Sequence, residues 1–145
     1  MTVFFTILAG VVTFVLGQLA LRLLAEPVQE LKRTIADIAV TIIKYANVYS
    51  NPGVTGEERE NEAAREIRAL ASRLNAQMYL VPGYSKIHRF FGLPSKQDIS
   101  QAMRHLIGIS NAVHRANSDM EIANDKKLDK VCDLLGIHMP DEDRA

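Results

Sequence analysis

The side chains suited to chemistry are few and scattered. Four histidines (His88, His105, His114, His138) and one cysteine (Cys132) are the metal-binding or nucleophilic candidates in 145 residues. Metal ligands on one helix face want spacings near three, four or seven, whereas His105 and His114 are nine apart and fall on opposite sides of a helix. Cys132 and His138 flank Gly136 without a recognisable ligand pattern. A single cysteine excludes an internal disulfide and any multi-cysteine metal centre. Asp129 and Asp133 beside Cys132 disfavour a thiolate, so a small core hydrophobe is the simpler reading of it. There is no HExxH, no Walker loop, no GxGxxG after a strand and no GxSxG. Gly53 to Gly56 lacks the following lysine of a phosphate cradle. These residues nominate no catalytic group, no metal ligand and no cofactor. An enzyme would need a pocket gathering at least two of His105, His114 and Arg104.

Two polar groupings carry more. Gln97, Gln101, Arg104, Gly108, Asn111 and Arg115 recur at helical spacing, with Arg104, Asn111 and Arg115 able to receive a carboxylate or phosphate. The competing reading is the one wetted face of a buried helix, with Gly108 there for close packing. Lys86, Arg89, Phe90 and Phe91 form a basic-aromatic cluster of the type that lies on a membrane surface. From Tyr84 to Ala116 five basic residues face one acid, Asp98, for a net of +4; from Asn117 to Ala145 the net is −4. The basic segment is expected to face the acidic last helix, within one chain or between two.

The elements that position these groups begin with a partition of charge. The chain holds 17 basic and 17 acidic residues, a balance that argues against a nucleic-acid binder, yet none precedes Arg22. Thr2 to Leu21 is apolar and long enough, at about 1.5 Å per residue, to cross a bilayer core of about 30 Å. A cleaved signal peptide would want a basic start and a small-x-small site, and neither is present. Arg22, Lys32 and Arg33 follow the span and no basic side chain precedes it. The positive-inside rule then expects a single pass through the inner membrane, N-terminus outside and the remainder cytoplasmic. Within the span Thr6, Gly10, Thr13 and Gly17 form a stripe of small residues suited to helix–helix packing.

After the span, Val28, Leu31, Ile35, Ile38, Ile42, Tyr45 and Tyr49 alternate three and four apart, predicting one helix from Pro27 to the Asn51-Pro52-Gly53 turn. Ala39, Ile43 and Ala46 widen the stripe and predict a second packing neighbour. Thr55 and Glu58 have capping-box spacing before a helix whose buried stripe is Ala63, Ile67, Leu70, Ala71, Leu74 and Met78. Pro82-Gly83 ends it, and a short aromatic segment from Tyr84 to Pro94 makes one or two turns. Ser95 with Asp98 caps a largely apolar central helix. A last helix presents Ile122, Leu128, Val131 and Leu135, with Gly136 and Ile137 in a Schellman ending. The expected fold is all-α: a membrane anchor over 2–24, a bundle of about four to five helices over 25–140, and an acidic tail over 141–145.

This layout, with Tyr45 to Pro52 closing one helix and Leu93 to Ser95 opening another, resembles small single-span bacterial proteins. The resemblance implies no activity, cofactor or site residue. The function expected from the residues is a non-enzymatic, membrane-anchored module acting through homo- or hetero-oligomeric helix contacts. The alternative is a membrane-tethered sensor of an anionic small molecule or lipid headgroup.

Overall fold

The computed structural model describes residues 1–113 and 118–138, and the side chains of all of these except 118–121. Among them every regular element is a helix: α1 (Thr2–Ala20), a π turn (Leu21–Ala25), α2 (Glu26–Lys44), α3 (Ala46–Ser50), α4 (Glu57–Leu80), α5 (Tyr84–Ile87), α6 (Lys96–Ala112) and α7 (Ser118–Leu135). Six α-helices thus follow the apolar one, where the sequence predicts four to five. The expected tail over 141–145 lies outside the described residues, as do His114 and Arg115.

The apolar helix and α2 are one continuous rod of 43 residues, Thr2–Lys44, long and apolar enough at its N-terminal end to cross a membrane. Pro27 explains the π turn in its middle. A proline has no N–H for the carbonyl four residues back and its ring crowds that carbonyl, so the helix widens before it. Glu26 N–H accordingly bonds to Leu21 O, five residues back. One residue is thereby inserted into the helical count. Every residue from Met1 to Leu23 is exposed, Leu24 and Ala25 are half-buried, and Val28 and Leu31 belong to the core. The bundle therefore begins to cover the rod two residues after Arg22.

The single predicted helix over Pro27 to Tyr49 is broken at Tyr45 (φ −111°, ψ 18°). Tyr45 is drawn inward because its phenol donates to Glu66 of α4 at 2.8 Å, and its ring meets Tyr49 edge-on at 6.4 Å. The break turns α3 so that Val48 and Tyr49 are buried. It leaves Ile43 and Ala46 exposed, while the second packing neighbour expected for this stretch is α7, which meets both α2 and α3.

Paired side chains set the register. Lys44 meets Glu66 at 3.0 Å and Asp37 meets Arg73 at 3.8 Å, so α4 returns antiparallel to α2 toward α1. Arg68 reaches Asn111 at 2.6 Å and Lys96 lies over the Tyr79 ring at 5.4 Å, so α6 runs away from α1. A Cβ at Gly108 would lie 3.9 Å from Lys127 Nζ, and His105 feels Lys130, so α7 returns again. The core joins the predicted stripes of α2, α4 and α6 with Val131, Cys132 and Leu135 of α7. Ile122 is exposed, against expectation.

The termini of the helices follow local chemistry. Ser95 Oγ accepts from Asp98 N–H while Asp98 accepts from Ser95 N–H, both at 3.1 Å, a complete capping box. Gly136 (φ 68°) closes α7, with Ile137 N–H to Cys132 O at 2.8 Å and Gly136 N–H to Asp133 O at 3.3 Å, the Schellman pattern. The expected Thr55–Glu58 box does not form. Gly56 (φ 100°) is the N-cap, and the buried Glu60 carboxylate accepts from Thr55 N–H at 3.2 Å instead.

One buried group offers a direct test of this packing. Asn124 is fully buried, and neither amide atom has a hydrogen-bond partner among the described residues. Desolvating an unpaired amide costs about 1–3 kcal/mol, and an apolar group of similar shape removes that cost. Asn124→Leu is expected to raise the thermal midpoint of the bundle by several degrees. A drop instead would place an internal water or partner on the amide.

Candidate functional site

Four groupings compete to be the functional site. The first is a polar node between α2 and α4. The Glu66 carboxylate accepts from Tyr45 Oη (2.8 Å), Lys44 Nζ (3.0 Å) and Thr41 Oγ1 (3.3 Å). Burial pushes its pKa up, but the hydrogen bonds from Lys44 and Tyr45 outweigh this and hold it below the ordinary value of 4.5. The Lys44 ammonium is correspondingly raised, by the adjacent Tyr45 phenol and by Glu66. Tyr49 Oη is buried beside this node without a partner among the described residues. A cleft of about 560 Å³ opens next to it, lined by Lys44, Tyr45, Thr55 and the acidic start of α4. Glu66, Tyr45 and Lys44 satisfy one another, so the node closes a helix pair and leaves no free base or nucleophile within it. Sequence reading misses it because the partners are more than 20 residues apart; a tyrosine on a core stripe is the one signal.

The second grouping is the polar stripe of α6. Asn111 Oδ1 is taken by Arg68 Nη2 of α4, and Gly108 accommodates the Lys127 side chain of α7. Arg104 is exposed one turn earlier on the same face. His105 is half-buried, and its pKa is lowered by burial and by Lys130 and Lys127. At this point α7 presents cations to α6, so the expected facing of basic against acidic segments does not hold around His105. Arg115 lies outside the described residues.

The third is the basic-aromatic segment. Phe90 is exposed, whereas Phe91 is half-buried against the core and meets Phe90 edge-on at 5.1 Å. Lys86 and Arg89 are exposed. Tyr84 Oη donates to Pro94 O at 2.7 Å, and burial followed by the Asp98 charge pushes this phenol up to about 12. His88 stacks on Tyr84 at 5.8 Å. His138 is exposed with Nδ1 3.3 Å from Gly136 O, Cys132 is buried, and no group of metal-ligating residues assembles among the described residues.

The fourth grouping runs the length of the rod. Gly10 and Gly17 have nothing within 4 Å of an added Cβ, and Thr6 and Thr13 share their face. On α2, Val40 and Ile43 are 64% and 50% exposed, with Ala36 exposed on the same line. The π turn decides how these two stripes relate. Gly17 to Ala36 is 19 positions, and with one residue absorbed by the π turn the remainder is about five whole turns of 3.6. Gly10, Gly17, Ala36, Val40 and Ile43 therefore lie along one line. Without the inserted residue the glycines would align with the core residues Val28 and Leu31. Gln29, Lys32 and Arg33 separate the two halves of the line, just beyond the apolar segment. A groove of about 260 Å³ between α2 and α4, lined by Asp37, Val40, Thr41, Glu66, Leu70 and Arg73, adjoins its outer half.

No protein-family model, curated protein or solved structure matches the chain.

Proposed function

We propose that the protein is a non-enzymatic, membrane-anchored interaction module. In this reading α1 spans the inner membrane with its N-terminus outside, and the helical bundle lies in the cytoplasm. Contacts to a second copy or a partner helix run along the outward line of the Thr2–Lys44 rod. The observation that carries the reading is the alignment of Gly10 and Gly17 with Ala36, Val40 and Ile43 across the π turn. Small residues let helix backbones approach in lipid, where packing rather than the hydrophobic effect drives association. Exposed Val40 and Ile43 supply an apolar contact in water, where their burial is favourable. The polar Gln29, Lys32 and Arg33 between the halves sit where headgroups and water compete for contacts. Affinity isolation of the tagged full chain from mild detergent tests this, alongside a variant with Gly10 and Gly17 blocked. A stoichiometric second copy or partner that disappears with the block supports the module. Recovery of the chain alone in both cases contradicts it.

One observation favours a second reading, capture of an anionic small molecule or headgroup on α6. Arg104 is exposed on the face where Gly108 seats Lys127 and where Lys130 also bears on His105. Converging cations of this kind suit a phosphate or carboxylate. Because Arg104 is exposed, Arg104→Ala is expected to change stability by less than about 0.5 kcal/mol. Under this reading it abolishes inorganic phosphate or phosphatidylglycerol binding measured by calorimetry. Unfolding by the substitution would return Arg104 to a structural role.

A further inference from the structure

The end of the bundle nearest α1 differs from the far end. The register set by Lys44–Glu66 and Asp37–Arg73 carries on to place Leu80 level with Glu30. The segment from Val81 to Ser95, which joins α4 to α6, therefore starts level with the first turns of α2. Half-burial of Leu24 and Ala25 fits the same placement. Leu24, the end of the anchor, to Glu30 spans about 9 Å of helix, and the headgroup layer beyond the hydrocarbon core is about 5–8 Å deep, so Leu80 stands at its outer edge. An apolar and basic surface at this height faces headgroups. Phe90, Tyr79 and Leu80 are 86%, 69% and 66% exposed here. Lys96 lies over the Tyr79 ring, and exposed Lys86 and Arg89 stand in the same segment as Phe90, all three without an ion-pair partner among the described residues. At this level of the bundle Arg22, Lys32, Arg33, Lys86, Arg89 and Lys96 outnumber the acids of the described residues, Glu26, Glu30, Asp98 and Asp133 of α7. Asp98 is occupied by its capping box and Glu30 by Arg33 at 3.4 Å.

The segment is also held in shape. Phe91 is braced on the core, Leu93 N–H bonds to His88 O at 2.8 Å, and Tyr84 is tied to Pro94. Phe90 is thus presented outward by a fixed support.

We propose that this end of the bundle docks on an anionic lipid surface, with Phe90 and Leu80 inserted among the headgroups and Lys86, Arg89 and Lys96 on the phosphates. The inference rests on the reading of α1 as a membrane span. The continuous Thr2–Lys44 helix carries the bundle next to the bilayer, where this surface can reach the headgroups. Each basic residue near such a surface is expected to shift the docked-to-free ratio about fivefold.

The chain contains no tryptophan, so single substitutions report position without background. Phe90→Trp, Val54→Trp at the far end and Phe14→Trp in α1 are each placed in the full chain. The protein is held in nanodiscs of phosphatidylcholine with or without phosphatidylglycerol, using lipids brominated near the headgroup and, for Phe14→Trp, deep in the chain. The expected result is blue-shifted, lipid-quenched emission from position 90 in anionic discs only, none from position 54, and quenching at position 14 in both. Lys86→Gln with Arg89→Gln is expected to reduce the docked-to-free ratio at position 90 about 25-fold. Equal quenching of position 90 in neutral discs, or a blue shift without lipid quenching, overturns the proposal, the latter in favour of a protein contact. Quenching at position 14 but not at 90 overturns docking alone, while no quenching at 14 removes the span and docking with it.

Discussion

Tyr45→Ala is expected to lower the stability of the bundle by about 3–5 kcal/mol, the usual cost of deleting a buried aromatic ring. Small proteins have only about 5–15 kcal/mol in total, so this variant stands near the edge of folding. Two separate contributions meet at Tyr45. Its ring is buried and packs edge-on against Tyr49, and its hydroxyl is one of three donors to Glu66. Tyr45→Phe keeps the ring and removes the donor. A hydrogen bond to a charged group contributes about 1.5–3 kcal/mol, and the 35% exposure of the Glu66 side chain lets water replace part of it, leaving about 1–2 kcal/mol. Tyr49→Phe is the internal control. The Tyr49 hydroxyl is buried without a partner among the described residues, so its removal is expected to be neutral or stabilising. Urea unfolding followed by near-ultraviolet circular dichroism ranks the three. Equal costs for Tyr45→Phe and Tyr49→Phe would contradict the assignment of the Glu66 hydrogen bond to Tyr45 rather than Tyr49.

The same node gives a pH dependence. Because the Glu66 carboxyl titrates lower in the folded protein than in the unfolded chain, its contribution is complete above the ordinary value of 4.5. The contribution is lost as pH falls through the lower folded value. Glu66→Gln is expected to flatten this acid limb.

Gly10→Ile with Gly17→Ile is expected to weaken association in the membrane by at least about tenfold, or 1.4 kcal/mol. Neither position touches anything within 4 Å in the single chain, so the larger side chains fit the isolated rod without strain. Isoleucine on the contact line holds the facing backbones apart. Val12→Ile, on the opposite side of α1, leaves association unchanged under the same account. Energy transfer between labelled copies, or with a labelled partner once isolated, measures the difference. Equal loss from Val12→Ile would mean general disturbance of the helix and would remove the contact line.

Much of the fold is written in local pattern. The core stripes of α4 and α6, the Ser95–Asp98 box and the Gly136 ending depend on neighbours within a turn or two, and all are found as the residues indicate. What local pattern misreads depends on distant partners. The break at Tyr45 answers to Glu66, 21 residues on, and Thr55 finds Glu60 rather than Glu58 because Gly56 adopts a positive φ and starts the helix later. Ile43 and Ile122 look like core residues by type, yet both are exposed.

The candidate contact line was half legible. Thr6, Gly10, Thr13 and Gly17 stand out by size, but their partners on α2 do not. A uniform 3.6-residue count places the glycines over Val28 and Leu31, and only the residue inserted ahead of Pro27 moves them to the outward face. Likewise Lys86, Arg89 and Phe90 are visible as a cluster, while Tyr79, Leu80 and Lys96 join them only through the antiparallel return of α4.

The most direct test of the account is photo-crosslinking along the rod in intact membranes. A photoreactive residue is placed singly at each position from Gly10 to Ile43. Adduct yield, to a second copy or to a partner, is expected to peak at 10, 17, 36, 40 and 43, with the phase advancing by one residue across Leu21–Ala25. A peak series that holds an unshifted helical phase through the π turn, or no adducts on either half, would contradict the continuous contact line and the module built on it.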